Sequence, residues 1–202
     1  MDQFIKTNPN PINTNNNNKI IVEDETLLLI VDVQQKLIKN IKDNQQLIFN
    51  IKKLIDTCNL LNVRIAITEQ NPLKLGKTLE SIIDNNKYPK FEKMEFSCIN
   101  NKKFIKYIND YNFKNIIVSG IESHICVLQT SMDLLEKWLN ILIRRDAIGS
   151  RNKMDNDTAF LRLILSGAVA STTESLICEL CKTSNREEFK EVSKILKNSF
   201  SN

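Results

Sequence analysis

The stretch Ile116-Ile-Val-Ser-Gly-Ile-Glu-Ser-His-Ile-Cys126 sets two periodicities back to back. Ile116 to Ser119 is a short, branched, apolar run without alternation, the pattern of a strand covered on both faces. Gly120 punctuates it. Ile125, Leu128, Met132, Leu135 and Leu139 then follow at spacings of 3, 4, 3 and 4, one face of an amphipathic helix. Ser123 stands where an N-cap is expected. Cys126 therefore falls in the first helical turn, where unpaired N–H groups favour an anion and a thiol pKa below the free value is expected.

The same alternation extends outward in both directions. Leu27 to Val33, Val63 to Ile67 and Ile141 to Ile143 read as further buried parallel strands, with short additions at Phe91 to Met94 and Ala168 to Ser171. Leu47, Ile51, Leu54, Cys58 and Leu61 mark a helix between the first two. Lys102 to Asp110, Asp155 to Leu165, Thr173 to Cys181 and Glu187 to Lys197 predict four more. Strands alternating with helices imply right-handed crossovers, hence an α/β fold of three layers: a doubly wound, mostly parallel sheet with helices on both faces. Sites in such sheets lie at the carboxyl ends of the strands. That rule nominates Asp32 after the first strand, Thr68, Glu69 and Gln70 after the second, and the turn leading to Cys126.

Residues 1–24 read as a disordered tail rich in Asn, with a homopolymer at Asn15 to Asn18, and residues 25–198 as one domain. The 28 basic and 24 acidic residues leave a net charge of +4 with no block of like charges, so neither nucleic acid nor a membrane surface is an expected partner. No apolar run is long enough to span a bilayer. Five cysteines, an odd number with no signal peptide ahead of them, suggest a reducing, cytoplasmic setting. Cys178 and Cys181 have C-x-x-C spacing without a second pair, so packing is their expected role. The sole histidine, His124, lies two residues from Cys126 and so cannot face it along a helix; a surface position or a first-turn hydrogen bond is expected.

The segments LLLIVDVQQKL (27–37), ITEQNPLKLG (67–76), KMEFSC (93–98), VSGIESHICVLQTSMDLL (118–135), RRDAIGSR (144–151) and LILSGAVASTTESLICEL (163–180) resemble the isochorismatase-like cysteine hydrolases, particularly the isochorismatase domain-containing branch. The resemblance implies a catalytic triad of Asp32, Lys93 and Cys126. It also implies a cis peptide at Ile121–Glu122 that would turn the Glu122 N–H toward that of Cys126 to hold an oxyanion. It further implies a homo-oligomer. Nicotinamidases of this superfamily carry a His-based metal site after the first-strand Asp; Asp32 is followed by VQQKLIKNIKDN with no His, so no metal and no cofactor are expected. A small-molecule substrate with an amide or related C–N bond is the expectation, with Gln70 as a hydrogen-bonding residue and Phe96 as a pocket wall. The rival from another class is a catalytically silent ligand-binding or interaction module.

Overall fold

The computed structural model describes residues 21–83 and 87–200. Its sheet has six strands: β1 (Thr26–Val31), β2 (Arg64–Gln70), β3 (Lys90–Lys93), β4 (Asn115–Ile121), β5 (Asn140–Gly149) and β6 (Val169–Ser171). They are ordered β3-β2-β1-β4-β5-β6, and every adjacent pair is parallel. The order reverses between β1 and β4, which makes the crevice beyond their carboxyl ends the binding position of a doubly wound sheet.

Both faces are covered, as the unalternating strand sequences require. Leu28 and Ile30 of β1 face a core closed by α1 (Asn44–Leu60), α6 (Thr173–Cys181) and α7 (Phe189–Lys197). Leu27, Leu29 and Val31 face a second core under α3 (Lys102–Asp110), α4 (Leu128–Glu136) and α5 (Lys153–Leu165). A short α2 (Pro72–Leu75) follows β2. No helix among the described residues is long and apolar enough to cross a membrane.

The strand pair that frames the crevice meets unusually closely. Gly120 has φ +143°, and a Cβ placed there would lie 2.2 Å from the Val31 carbonyl oxygen and 2.8 Å from its nitrogen. Only glycine lets β4 approach β1 in this way.

Three sequence boundaries move. Ile21 is buried, and Glu23 pairs with Lys182 (3.1 Å) and with Arg186, so both pack on the fold ahead of the expected start at 25. Residues 1–20 of the expected tail lie outside the described residues. At the other end Phe200 packs on Phe49, ring centroids 5.7 Å apart, so the folded part extends past 198.

The largest shift concerns β5, which runs far beyond Ile143. Its pairing with β4 passes from Val118–Ile143 to Gly120–Ile148, so Arg144 to Ala147 form a bulge, and the Ser119 hydroxyl bridges it to the Ala147 carbonyl at 2.7 Å. Asp146 in that bulge caps α6, accepting from the Thr173 N–H at 2.9 Å. Arg144 is wholly buried, and its guanidinium nitrogens have no hydrogen-bond partner among the described residues. Burial lowers its pKa to about 10, opposed by the charges of Glu179 and Asp146.

Candidate active site

The carboxylate at the switch point comes from β1. Asp32 is the first residue past the strand and takes the left-handed conformation, φ +53°. Its N–H is held by the Thr68 carbonyl at 3.2 Å, and its Oδ1 accepts from the Thr68 hydroxyl at 2.7 Å. Its Oδ2 accepts from Lys93 Nζ at 2.6 Å. Both side chains are 1% exposed, so the pair is desolvated and unscreened. Lys93 ends the edge strand β3, and its ammonium also donates to Gln70 Oε1 at 3.0 Å.

Cys126 completes the cluster from β4. The chain leaves that strand through Glu122, at φ +54° and ψ +59°, into one π-helical turn, Ser123–Val127, that runs on into α4. Such turns recur at functional sites because the wider coil re-aims a side chain. Cys126 is buried, and its thiol lies where the charges of Asp32 and Lys93 both act on it.

Two expectations about this turn are corrected. Among the described residues there is no cis peptide bond, so Ile121–Glu122 is trans. The reversal is made instead by the positive φ angles of Gly120 and Glu122. Ser123 is not the cap: Glu122 occupies that position, and the Ser123 hydroxyl is buried without a hydrogen-bond partner.

The thiol also differs from the expected low-pKa thiolate. Burial pushes its pKa up and the Asp32 carboxylate adds to that, while the Lys93 ammonium opposes both. A thiol pushed up in this way keeps its proton near neutral pH.

An isochorismatase domain model matches residues 26–175, a span that includes all three clustered side chains. Isochorismatase family protein 1B of Dictyostelium discoideum is 36% identical over 183 residues, covering 88% of each chain. The solved structure described as MAR1 ribonuclease from Caenorhabditis elegans superposes with a TM-score of 0.84 at 34% identity, covering 91% of this chain and 95% of that one. The E. coli YcaC gene product, described as an octameric hydrolase of unknown specificity, shares the fold, with a TM-score of 0.81, 19% identity and coverage of 87% and 88%. The chain belongs to the isochorismatase family.

Within this isochorismatase domain the remaining nominated residues take different places. Gln70 holds the cluster from the side: its Nε2 donates to the Met94 carbonyl at 2.6 Å while its Oε1 receives Lys93. The sequence reading missed Gln34, which is fully buried and braces Gln70 by accepting from its N–H at 2.8 Å and donating to its carbonyl at 3.0 Å. Its signal lay in the VDVQ segment, two residues past Asp32. A cleft of about 390 Å³ opens beside Lys93, lined by Asn71, Pro72, Leu73, Met94, Glu95 and Asn101 among others. Phe96 does not line it and is half-exposed. The apolar walls there are Pro72, Leu73 and Met94.

His124 is neither on the free surface nor bonded within its own turn. Its Nδ1 lies 3.0 Å from the Ser150 hydroxyl, and Glu122 forms an ion pair with Arg151 at 2.9 Å. No group of three or more His, Cys, Asp or Glu side chains is placed to share a metal ion among the described residues.

Removing the cation from the buried pair isolates a carboxylate. Lys93→Met is expected to destabilise the protein by about 3–5 kcal/mol, whereas Asp32→Asn with Lys93→Met should recover most of that loss. Urea unfolding of the two single variants and the double variant measures the coupling; additive losses would show that the pair does not interact as drawn.

Proposed function

We propose that the protein is a cysteine hydrolase of small amides or related C–N bonds. The observation that carries this is the convergence of a buried thiol, a carboxylate and an ammonium at the sheet's switch point. The Cys126 proton passes to Asp32 as sulfur attacks the carbonyl carbon, so no standing thiolate is needed. The first-turn N–H of Cys126 receives the developing oxyanion. Collapse expels the amine, which takes the proton from Asp32, and leaves a thioester. Asp32 then deprotonates a water that attacks this thioester, and the proton returns to sulfur as the acid departs. Lys93 orients Asp32 through their ion pair and offsets the negative charge that builds beside it.

The depth of the nucleophile, with Cys126 only 5% exposed, supports a small carbonyl compound as substrate over an RNA chain. Cys126→Ser is expected to lower turnover of a small-amide panel by at least about 1,000-fold. Cys178→Ser, at an exposed thiol, should leave it unchanged. Amine release measured across the panel decides this, with RNA as a parallel substrate. Unchanged turnover in Cys126→Ser, or cleavage of RNA alone, would sink the proposal.

The five free thiols support a reducing, cytoplasmic setting. We also propose a homo-oligomer. Met154, Leu161 and Leu165 are exposed at 80%, 59% and 73% and recur at i, i+7 and i+11, an apolar stripe along one face of α5. Light scattering should give a multiple of 23.3 kDa; a monomer at micromolar concentration would refute it.

A further inference from the structure

The turn that carries Cys126 is strained at its first residue. Glu122 is neither Gly nor Asn, yet it sits in the left-handed region, a conformation that persists only where the surroundings enforce it. Its side chain is 8% exposed, so a carboxylate is buried beside a left-handed backbone turn. Oε1 meets Arg151 Nε at 2.9 Å. Oε2 is buried and accepts no hydrogen bond; His124 Nδ1 lies 3.5 Å away and is itself engaged with Ser150. Asp155 stands behind that ring, 3.9 Å from Nε2. Arg151 is thus the one permanent cation paired with this carboxylate among the described residues. It belongs to the segment joining β5 to α5, and the π-helical turn packs on both of those elements.

We infer that Arg151 is a positioning residue: through its ion pair with Glu122 it pins the strand-to-helix turn and so sets the Cys126 thiol against Asp32. A buried carboxylate without its cation would be driven toward solvent. With the ion pair gone, the left-handed turn at Glu122 loses the tie that Arg151 gives it to the segment between β5 and α5, whichever of the two partners is removed. The inference presupposes the hydrolase reading of Cys126 for its effect on rate. Its effect on the thiol's surroundings stands apart from that reading.

The test exploits what raises the thiol pKa. Burial and the Asp32 carboxylate hold it up, and Lys93 opposes them. A turn released from Arg151 loses both raising influences together. In Arg151→Gln the pH midpoint for alkylation of Cys126 by iodoacetamide, followed by peptide mapping, should move down by one pH unit or more. Arg151→Lys, which keeps the charge, should stay within half a unit of wild type. Glu122→Gln should shift like Arg151→Gln, and the double variant no further, as expected for two residues acting as one unit. With a substrate in hand, Arg151→Gln should lower kcat about tenfold while KM changes less than twofold. A merely structural role would lower the unfolding midpoint and leave the alkylation midpoint in place; that result in a folded Arg151→Gln protein overturns the inference. Should Arg151→Gln fail to fold, Glu122→Gln decides in the same way. Because alkylation requires no turnover, an absence of amidase activity would defeat the hydrolase proposal without touching this one.

Discussion

Gly120→Ala is expected to abolish the native fold. The added Cβ would meet the Val31 carbonyl oxygen at 2.2 Å, and that oxygen belongs to backbone in the central strand, so no side-chain rotation can relieve the clash. A φ of +143° is in addition closed to an L side chain. Relief requires parting β4 from β1, the pair whose register runs unbroken from Thr26–Asn115 to Val31–Gly120. The expected loss exceeds about 4 kcal/mol, the range reached only by changes that disrupt the core or the backbone. Soluble yield and the urea midpoint would measure it. A folded Gly120→Ala protein of wild-type stability would show that the two strands do not approach as described.

Alkaline pH is expected to unfold the protein steeply, for a reason that also lies in the core. Burial pushes the Cys58 and Cys126 thiols up and raises Cys98 to about 12, while thiols in the unfolded chain ionise near about 8.5. Below that value both states hold these protons and stability does not change on their account. Above it the unfolded state releases protons that the folded state keeps, so stability falls as pH rises. Each thiol contributes about 1.4 kcal/mol per pH unit, and the three together about 4 kcal/mol per unit once pH is well past 8.5. A reserve of about 5–15 kcal/mol would be spent within a few units. Urea midpoints between pH 7 and 10 test this, and Cys98→Ala should remove about a third of the slope. A flat profile would show that the thiols ionise in the folded state.

Where the sequence was informative, the reason is local. β1, β2 and β4 were legible because both their faces are buried, which leaves uninterrupted branched apolar runs. β5 was cut short at Ile143 because Arg144, Arg145 and Asp146 look like the start of a loop; the strand continues through a bulge that buries Arg144, against the usual preference of charged residues for water. Asp32 could be nominated from its place at a strand end. Lys93 could not, being one of 28 basic residues, and entered only through the resemblance of KMEFSC.

The raised thiol pKa is hidden from sequence for a related cause. Charges and helix ends can be listed from sequence, but depth is a tertiary quantity, and at Cys126 depth dominates. The contact between His124 and Ser150 escaped because the partners are 26 residues apart and meet only where β4 and β5 align.

The edge position of β3 has a consequence for how this scaffold can diversify. Asp32 and Cys126 follow the two central strands, each gripped on both sides, whereas Lys93 closes a four-residue strand with a single neighbour. The next two residues, Met94 and Glu95, wall the adjoining cleft. One short segment at the sheet margin thus supplies both the cation of the cluster and part of the surface a substrate would meet. Selection can rewrite that margin for a new substrate while Cys126 and Asp32 stay fixed in the middle of the sheet.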